Sequence, residues 1–295
     1  MELKKINERV YYIPNAANIG LIKDGNKVIL IDSGLDEGTG RKILRLLEEK
    51  NMQLSIIINT HSHADHCGGN QFIKKRTGAL IYAPEIESEI ISQPILEPLY
   101  LFSGAKPLES LQNKFLMAQA SNVDYIIKGS ERLSFNEVKI DIIPLPGHSP
   151  NQIGVLIDKI LFCADSIFSK EVLEKHKIPF FTDINKTKET LIFLRDSDYD
   201  YYVPSHAQPC KSISELATAN LNTIINIEEQ LLKLCNGKST EDLTKELLDH
   251  YQIKINSVQQ YFLMKTVVMA YLSYLNDDKK IKTSVQDNKL FWTSK

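Results

Sequence analysis

The string HSHADH at residues 61–66 places four metal-binding side chains within six positions: His61, His63, Asp65 and His66. Neutral imidazole and carboxylate groups are the ligands that divalent zinc, manganese and iron favour. Two histidines one residue apart can point the same way from an extended segment. Asp65 and His66, beyond a bend, can bind a second ion. Gly68 and Gly69 follow them and allow a neighbouring backbone to approach closely. The string therefore predicts a metal site.

Three further candidate ligands follow predicted strands elsewhere in the chain. His148 lies in the string PGHSP, Asp165 follows the apolar run LFCA, and His206 follows YYVPS. Ligands on loops that leave strand ends can converge at one rim of a sheet. One histidine after a turn carries little information, but three such residues together support a shared site.

With these residues in place, the sequence resembles the metallo-β-lactamase superfamily over roughly residues 5–210. The resemblance implies an α/β (α+β) fold, an αββα sandwich of two mixed sheets covered by helices. It also implies a ligand set: His61, His63 and His148 for a first ion, Asp65, His66 and His206 for a second, and Asp165 as a bridge to both. Asp32, in the string LIDSG, corresponds to a family residue that supports the signature loop by hydrogen bonds.

The sequence departs from the family pattern in small ways. Ala164 and Ser205 stand directly before Asp165 and His206, where the family usually has glycine. These changes remove no ligand, although they can alter the local backbone. Ala64 stands where the flavodiiron branch of the family usually has glutamate, which disfavours that redox branch.

The function implied by the resemblance is that of a metal-dependent hydrolase. Two divalent ions about 3.5–4 Å apart share a water, and the resulting hydroxide attacks the substrate at neutral pH. We expect zinc, with manganese or iron as alternatives, because the ligands suit all three metals. Asp65 and Asp165 are the candidate catalytic residues, since Asp165 bridges the ions and Asp65 can orient the nucleophile or shuttle its proton. The expected substrate is a small molecule with an ester, thioester, lactone or related bond.

Other functions share parts of this pattern. A single-strand endoribonuclease of the β-lactamase-like type is the main alternative, because the C-terminal part resembles the winged-helix tail of a subgroup with RNA-cleaving members. A mononuclear iron persulfide dioxygenase has the same signature. A metal- or ligand-sensing regulator is a non-enzymatic alternative, which the intact ligand set argues against. An intact Asp165 is also more typical of branches that do not hydrolyse antibiotics.

The elements that must position these residues fall into two segments. Residues 1–209 alternate predicted strands with helices and form the candidate catalytic domain. Within it, Gln93–Leu116 is predicted as a lid with a helical piece, and this lid and Ile167–Phe181 are expected to flank the metals. Phe168, Phe180 and Phe181 are expected chiefly as core residues.

Residues 210–295 form the second predicted segment, a helical, winged-helix-like module that ends in a β-hairpin. Gly237 is expected to cap the first of its three helices. The third helix, Ser257–Leu275, has Lys265 as its single basic residue, whereas a duplex-reading helix is normally more basic. We therefore expect no sequence-specific DNA binding. The module is expected to serve domain packing, cleft shaping or homodimer formation.

Composition limits the remaining functional classes. The 295 residues are 43% hydrophobic and 24% charged with a net charge of −2, which excludes a disordered chain and gives no general attraction to nucleic acid or membrane. The four cysteines form no CxxC pair. Cys67, beside a ligand, is expected to be a small buried residue. The first residues lack a signal-peptide pattern and no apolar run reaches membrane-spanning length, so we expect a cytoplasmic enzyme.

Overall fold

Two β-sheets stack face to face at the centre of the molecule. The structure, a computed structural model, describes residues 1–295. Between the sheets lies an apolar layer to which Ile29 and Ile58 of the first sheet and Ile142, Val155 and Phe162 of the second contribute. Helices cover the outer face of each sheet. This αββα arrangement confirms the predicted fold class.

The first sheet has seven strands in sequential order. They are β1 (Lys4–Lys5), β2 (Val10–Ile13), β3 (Ile19–Asp24), β4 (Lys27–Ile31), β5 (Gln53–Ile58), β6 (Leu80–Pro84) and β7 (Tyr125–Ile127). Strands β1 to β4 pair antiparallel, whereas β4 to β7 run parallel. The turn between β3 and β4 contains Gly25 at φ 67°, as its DGN sequence predicts.

The second sheet has five strands. They are β8 (Arg132–Ser134), β9 (Lys139–Pro144), β10 (Ile153–Ile157), β11 (Ile160–Phe168) and β12 (Tyr201–His206), in the order β12-β11-β10-β9-β8. Only β11 and β12 pair parallel, and their register shifts twice along Phe162–Phe168. Asp165 was expected to follow a strand, but strand β11 continues through it to Phe168.

Ten α-helices and one 3₁₀ turn complete the chain. The helices are α1 (Glu37–Glu49), α2 (Ala64–Cys67), α3 (Asn70–Thr77), α4 (Glu85–Ser92), α5 (Leu96–Leu101), α6 (Lys170–His176), α7 (Ile184–Asp196), α8 (Ser214–Leu234), α9 (Thr240–His250) and α10 (Val258–Asp277), and the 3₁₀ turn is Glu109–Leu111. Residues 93–116 contain α5 and this turn within irregular chain, in agreement with the expected lid. Helix α4 was not predicted. No helix of the protein is both long and apolar enough to cross a membrane.

The C-terminal segment contains the three predicted helices and the terminal hairpin, and it adds a strand. Strands β13 (Asn236–Ser239), β14 (Ile281–Gln286) and β15 (Lys289–Ser294) form a sheet in the order β13-β15-β14. The prediction that Gly237 caps α8 was wrong. The helix ends at Leu234, because the residues after Cys235 pair with the distant strand β15.

The C-terminal helices and the second sheet share one hydrophobic core. Its 29 buried residues include Leu161 and Tyr202 of the sheet together with Leu221 of α8, Leu247 of α9 and Tyr271 of α10. The apolar stripes of these helices are therefore buried mainly against the outer face of the second sheet and against one another.

Candidate metal centre

All seven predicted ligands lie at one rim of the sandwich. The signature string follows β5 and continues into α2, and its glycines pack tightly: a Cβ on Gly68 would lie 1.8 Å from the Leu35 carbonyl oxygen. His148 follows β9, Asp165 lies in the irregular part of β11, and His206 ends β12. The ends of strands from both sheets therefore bring these side chains together.

The seven side chains form three overlapping groups of potential ligands. In each group, one ligand atom per residue lies within 4.8 Å of the others; the groups are His61, His63 and His148, then His61, His66 and Asp165, and finally Asp65, His66 and His206. Asp165 lies between the outer groups, with its carboxylate oxygens 3.2 Å from Nε2 of His66 and of His206 and 3.5 Å from Nε2 of His148. The three groups overlap, and Asp165 lies in the middle of the seven side chains.

Unpartnered polar atoms at this position fit a metal ion. Nε2 of His61, Nε2 of His66 and Oδ1 of Asp165 are buried without a hydrogen-bond partner. A buried polar atom left unpaired costs about 1–3 kcal/mol, so a bound cation at this point would stabilise all three. Imidazole nitrogens and a carboxylate are suitable donors for a divalent transition metal.

Backbone carbonyls orient two of the histidines. Nδ1 of His148 lies 2.9 Å from the Phe180 carbonyl oxygen, and Nδ1 of His206 lies 2.9 Å from that of Ala16. A carbonyl oxygen can only accept a hydrogen bond, so Nδ1 carries the proton in both rings. In the neutral ring, the lone pair of Nε2 is then directed to the centre.

Asp32 orients two more histidines through one carboxylate. Its Oδ2 accepts a hydrogen bond from Nδ1 of His66 at 2.7 Å and another from the Thr60 hydroxyl at 2.8 Å. Because that hydroxyl donates to Asp32, it must accept from Nδ1 of His61, which lies 3.1 Å away. Asp32 thus contacts His66 directly and is connected to His61 through Thr60.

A second buried carboxylate, Glu87 of α4, connects the two loops that carry ligands. One oxygen accepts from the backbone N–H and hydroxyl of Ser62, which lies between His61 and His63. The other accepts from the hydroxyl of Ser149 and the backbone N–H of Asn151, next to His148. Sequence reasoning missed Glu87, because an acidic residue in an exposed-looking helix gives no sign of burial.

The pKa values of the histidines differ between the two sides of the centre. Burial, reinforced by the neighbouring His63, lowers the pKa of His148 to about 4, and burial also lowers the pKa of His61 and His63. On the other side, burial opposes the charge on His206, but Asp165 and Asp65 outweigh it and raise its pKa to about 10. One side thus presents neutral imidazoles, the form that binds metal, and the other presents carboxylates that attract a cation.

Glu97 of α5 is a further acid beside the centre that sequence reasoning missed. Its carboxylate is buried, accepts a hydrogen bond from the Tyr100 hydroxyl and lies 3.7 Å from Nε2 of His63. Burial raises the pKa of Glu97 to about 8. Its position inside the proline-interrupted lid gave no periodic pattern from which to predict it.

Ala164 and Ser205, the two departures from the family pattern, behave differently. Ala164 has φ 51°, a left-handed conformation that glycine adopts freely and alanine does not. Ser205 lies in strand β12, outside the positive-φ region. Of the two replacements of glycine, only Ala164, directly before Asp165, therefore introduces backbone strain.

The centre opens into a cleft with a volume of about 470 Å³. The lid and residues 167–181 both line it, as predicted, and the lining includes Phe168, Phe180 and the exposed His176. Phe181 is fully buried in the core. Cys67 is buried with its thiol directed to the Ser62 carbonyl oxygen at 3.2 Å, and burial raises its pKa, consistent with the expected unreactive residue.

Comparison with known proteins identifies the family. Residues 12–206 match the metallo-β-lactamase superfamily model, and the chain belongs to this superfamily. Hydroxyacylglutathione hydrolase 1 of Vibrio vulnificus is 27% identical over 151 residues, 51% of this chain and 47% of that relative. The probable metallo-hydrolase YqgX of Bacillus subtilis is 24% identical over 179 residues, 61% of this chain and 76% of that relative. The matches span about half the length of the hydroxyacylglutathione hydrolases.

Solved structures extend the similarity of fold to the C-terminal segment. A metallo-β-lactamase family protein from Thermus thermophilus superposes with a TM-score of 0.77 at 17% identity, covering 99% of this chain and all of that one. A β-lactamase domain protein from Burkholderia ambifaria gives 0.78 at 13% identity, covering 100% of this chain and 94% of that one. The predicted superfamily fold is therefore confirmed.

Proposed function

We propose that this protein is a metal-dependent hydrolase of a small-molecule ester, thioester or lactone that works with two divalent ions. The observation that carries the proposal is the overlap of the ligand groups: His61 and His66 each belong to two groups, and Asp165 lies between the outer ones. A single ion with four ligands leaves much of this set unused, whereas two ions use all seven residues.

The ligand assignment is the one that the family resemblance implies, and the overlapping groups support it. His61, His63 and His148 would hold one ion, Asp65, His66 and His206 the other, and Asp165 both. When bound, such a pair of ions would supply a shared water with a pKa lowered toward neutrality and would polarise the carbonyl group of a substrate. Zinc is the ion we expect, with manganese and iron as alternatives that the same ligands accept.

The two aspartates have distinct roles in the proposed reaction. Asp165 is almost fully buried between three imidazoles, so it is placed to fix the centre. The Asp65 side chain is 36% exposed and its Oδ2 lies 3.3 Å from Nε2 of His206, on the open side of the centre. From there Asp65 can orient the attacking water, accept its proton and deliver a proton to the leaving group.

Support for a thioester among the candidate bonds comes from the relatives. Several of the curated proteins similar to this chain are named hydroxyacylglutathione hydrolase. The matches exclude much of those relatives' length, so the acyl and thiol parts of the substrate must be argued from this chain's own cleft.

The endoribonuclease alternative finds less support in the cleft. A groove that tracks single-stranded RNA combines several basic side chains with stacking aromatics. The cleft contains aromatic rings, but Lys175 is the only lysine or arginine that lines it. RNA therefore remains a substrate class for the experiment to exclude.

The experiment measures hydrolysis by the purified protein after loading with zinc, manganese or iron. The panel contains a hydroxyacyl thioester, simple esters, lactones and a short single-stranded RNA. We expect turnover of a carbonyl substrate, its loss on chelation and its near-complete loss in Asp165→Ala. Cleavage of RNA alone, or persulfide oxidation by the iron form alone, would overturn the proposal. No turnover with any substrate by protein that retains two ions would favour the regulator alternative.

A further inference from the structure

One wall of the metal cleft is apolar and is built in part by residues beyond those that match the family. The C-terminal helix α10 contributes Leu263 and Met264, and the end of the lid contributes Phe115 and Leu116. The family match ends at residue 206, so α10 lies beyond it. This apolar wall, defined by these four residues, faces the same cleft as His63, Asp65 and Asp165.

The wall is held in place by contacts between the lid and α10. Nδ2 of Asn113 donates to Oε1 of Gln259 at 3.0 Å, and the rings of Phe102 and Phe262 pack edge to face with centroids 5.0 Å apart. Leu116 also belongs to a small buried cluster against which Leu263 packs. Contacts within the protein therefore hold the wall in place.

The rest of the cleft has the character of a site for an apolar group. Val172, Ile178, Pro179 and Phe180 line it as well, and nine of its 19 lining residues are hydrophobic. Helix α10 adds no charge to the lining, since its third residue there is Gln259. Exposed apolar side chains are stabilised by a ligand that covers them, and a polar or highly charged ligand cannot do so.

We propose that the apolar wall is an acyl-binding subsite, and that the substrate is an ester or thioester of a fatty acyl chain. This inference rests on the proposed hydrolase function. The scissile carbonyl would lie at Asp65 and Asp165, and the acyl chain would extend along Leu263 and Met264. The cleft volume of about 470 Å³ accommodates a small molecule of this kind.

The first test measures kcat/KM for a series of thioesters of one thiol, N-acetylcysteamine, from acetyl to decanoyl. Each methylene buried against the wall should raise kcat/KM about two- to fourfold until the subsite is full. The change should lie mainly in KM, because the wall contacts the acyl chain in both the ground state and the transition state. A flat series across these chain lengths would overturn the inference while leaving the hydrolase intact.

Two methionines of α10 provide a matched pair of variants. Met264 lines the cleft, whereas Met269, on the same helix, does not line it and is exposed. Met264→Lys should lower kcat/KM for the octanoyl thioester by a factor at least ten times larger than for the acetyl thioester. Met269→Lys should change neither value.

Phe115→Ser, at a side chain already 60% exposed, is a second variant that should fold normally and reduce chain-length selectivity. Equal losses for both thioesters in Met264→Lys and Phe115→Ser would contradict the acyl role.

A binding measurement separates the two proposals. The thioether S-octyl-N-acetylcysteamine cannot be hydrolysed, and its affinity for the metal-free protein can be measured by calorimetry. We expect it to bind at least tenfold more tightly than the S-ethyl analogue in the wild type, and this preference to disappear in Met264→Lys. If the preference is present but no thioester, ester or lactone is hydrolysed, the hydrolase proposal fails and the subsite stands. Equal affinity of the wild type for the two thioethers would contradict the proposed acyl subsite.

Discussion

Each imidazole of the centre except that of His63 has its Nδ1 hydrogen-bonded to a group outside the candidate ligand set, which leaves Nε2 directed to the centre. His148 and His206 use backbone carbonyls, His66 uses Asp32 and His61 uses Thr60. His63 instead directs Nδ1 to the centre, where it lies 2.9 Å from Nε2 of His148. The ligand types were predictable from the string and its spacing. Their hydrogen-bond partners were not, except Asp32, because they are distant in sequence.

At Ala164, the strain next to the bridging aspartate can be tested directly. A left-handed conformation costs an alanine roughly 1–2 kcal/mol, whereas glycine adds up to about 1 kcal/mol of unfolded-state entropy. Ala164→Gly should therefore raise the free energy of unfolding by a few tenths to about 1 kcal/mol, measured by urea denaturation, with the metal content unchanged. The control is Ala83→Gly in β6, where φ is not positive and the same substitution should destabilise. Destabilisation of similar size at both sites would show that Ala164 is unstrained.

Glu87 is predicted to matter for both stability and metal affinity. Glu87→Ala leaves four buried or half-buried donors without their acceptor, which should lower the free energy of unfolding by at least about 3 kcal/mol. Residues that orient ligands typically contribute 10–100-fold to metal affinity, and we expect a loss of that order in a competitive chelator titration. Glu87→Gln, which keeps one acceptor oxygen, should lose less. Glu89→Ala on the exposed face of the same helix serves as the control, and similar metal affinity in Glu87→Ala and Glu89→Ala would refute the role.

At the scale of elements, the strands and long helices were predictable and several short elements were not. A short apolar run such as LSIII indicates a buried strand, and apolar residues at helical spacing, as in α10, indicate a helix. Helix α4 has only eight residues after Pro84, and its buried face includes Glu87. Strand β13 forms only because β15, more than 50 residues later, supplies its partner. Non-local pairing of this kind leaves no signal in the local sequence.

Helix α8 stabilises the segment that carries Asp165. The Asn220 side chain donates to the Phe168 carbonyl oxygen at 2.8 Å and accepts from the Phe168 N–H at 3.1 Å. Asn220→Leu leaves both backbone groups unpaired, so the free energy of unfolding should fall by about 2–4 kcal/mol and metal binding should weaken. Asn222→Leu, at an exposed position on the same helix, should have little effect on either quantity. If the two variants bind metal equally well, α8 does not position Asp165.

At the scale of the whole molecule, the shared core predicts one cooperative unit. The predicted division into residues 1–209 and 210–295 marks the point where alternating strands and helices give way to a helical pattern. We propose that both segments nevertheless fold as one unit. The single tryptophan, Trp292, is buried in the C-terminal sheet and donates to the Thr240 hydroxyl at 2.8 Å. It therefore reports on the C-terminal segment alone.

Unfolding followed by Trp292 fluorescence and by far-ultraviolet circular dichroism should give coincident curves in urea. Coincidence of probes is the expected behaviour of a two-state transition, and here it would follow from burial of Leu161 and Tyr271 in the same cluster. An early fluorescence transition with most of the dichroism retained would mean that residues 210–295 unfold independently.

The central claim, a two-ion centre with Asp165 between the ions, is tested most directly by anomalous X-ray diffraction from crystals of active protein. The account predicts two anomalous peaks about 3.5–4 Å apart, one beside His61, His63 and His148 and the other beside Asp65, His66 and His206, with Asp165 bound to both. A single peak, or two peaks with Asp165 bound to neither, in protein that retains full activity would contradict it.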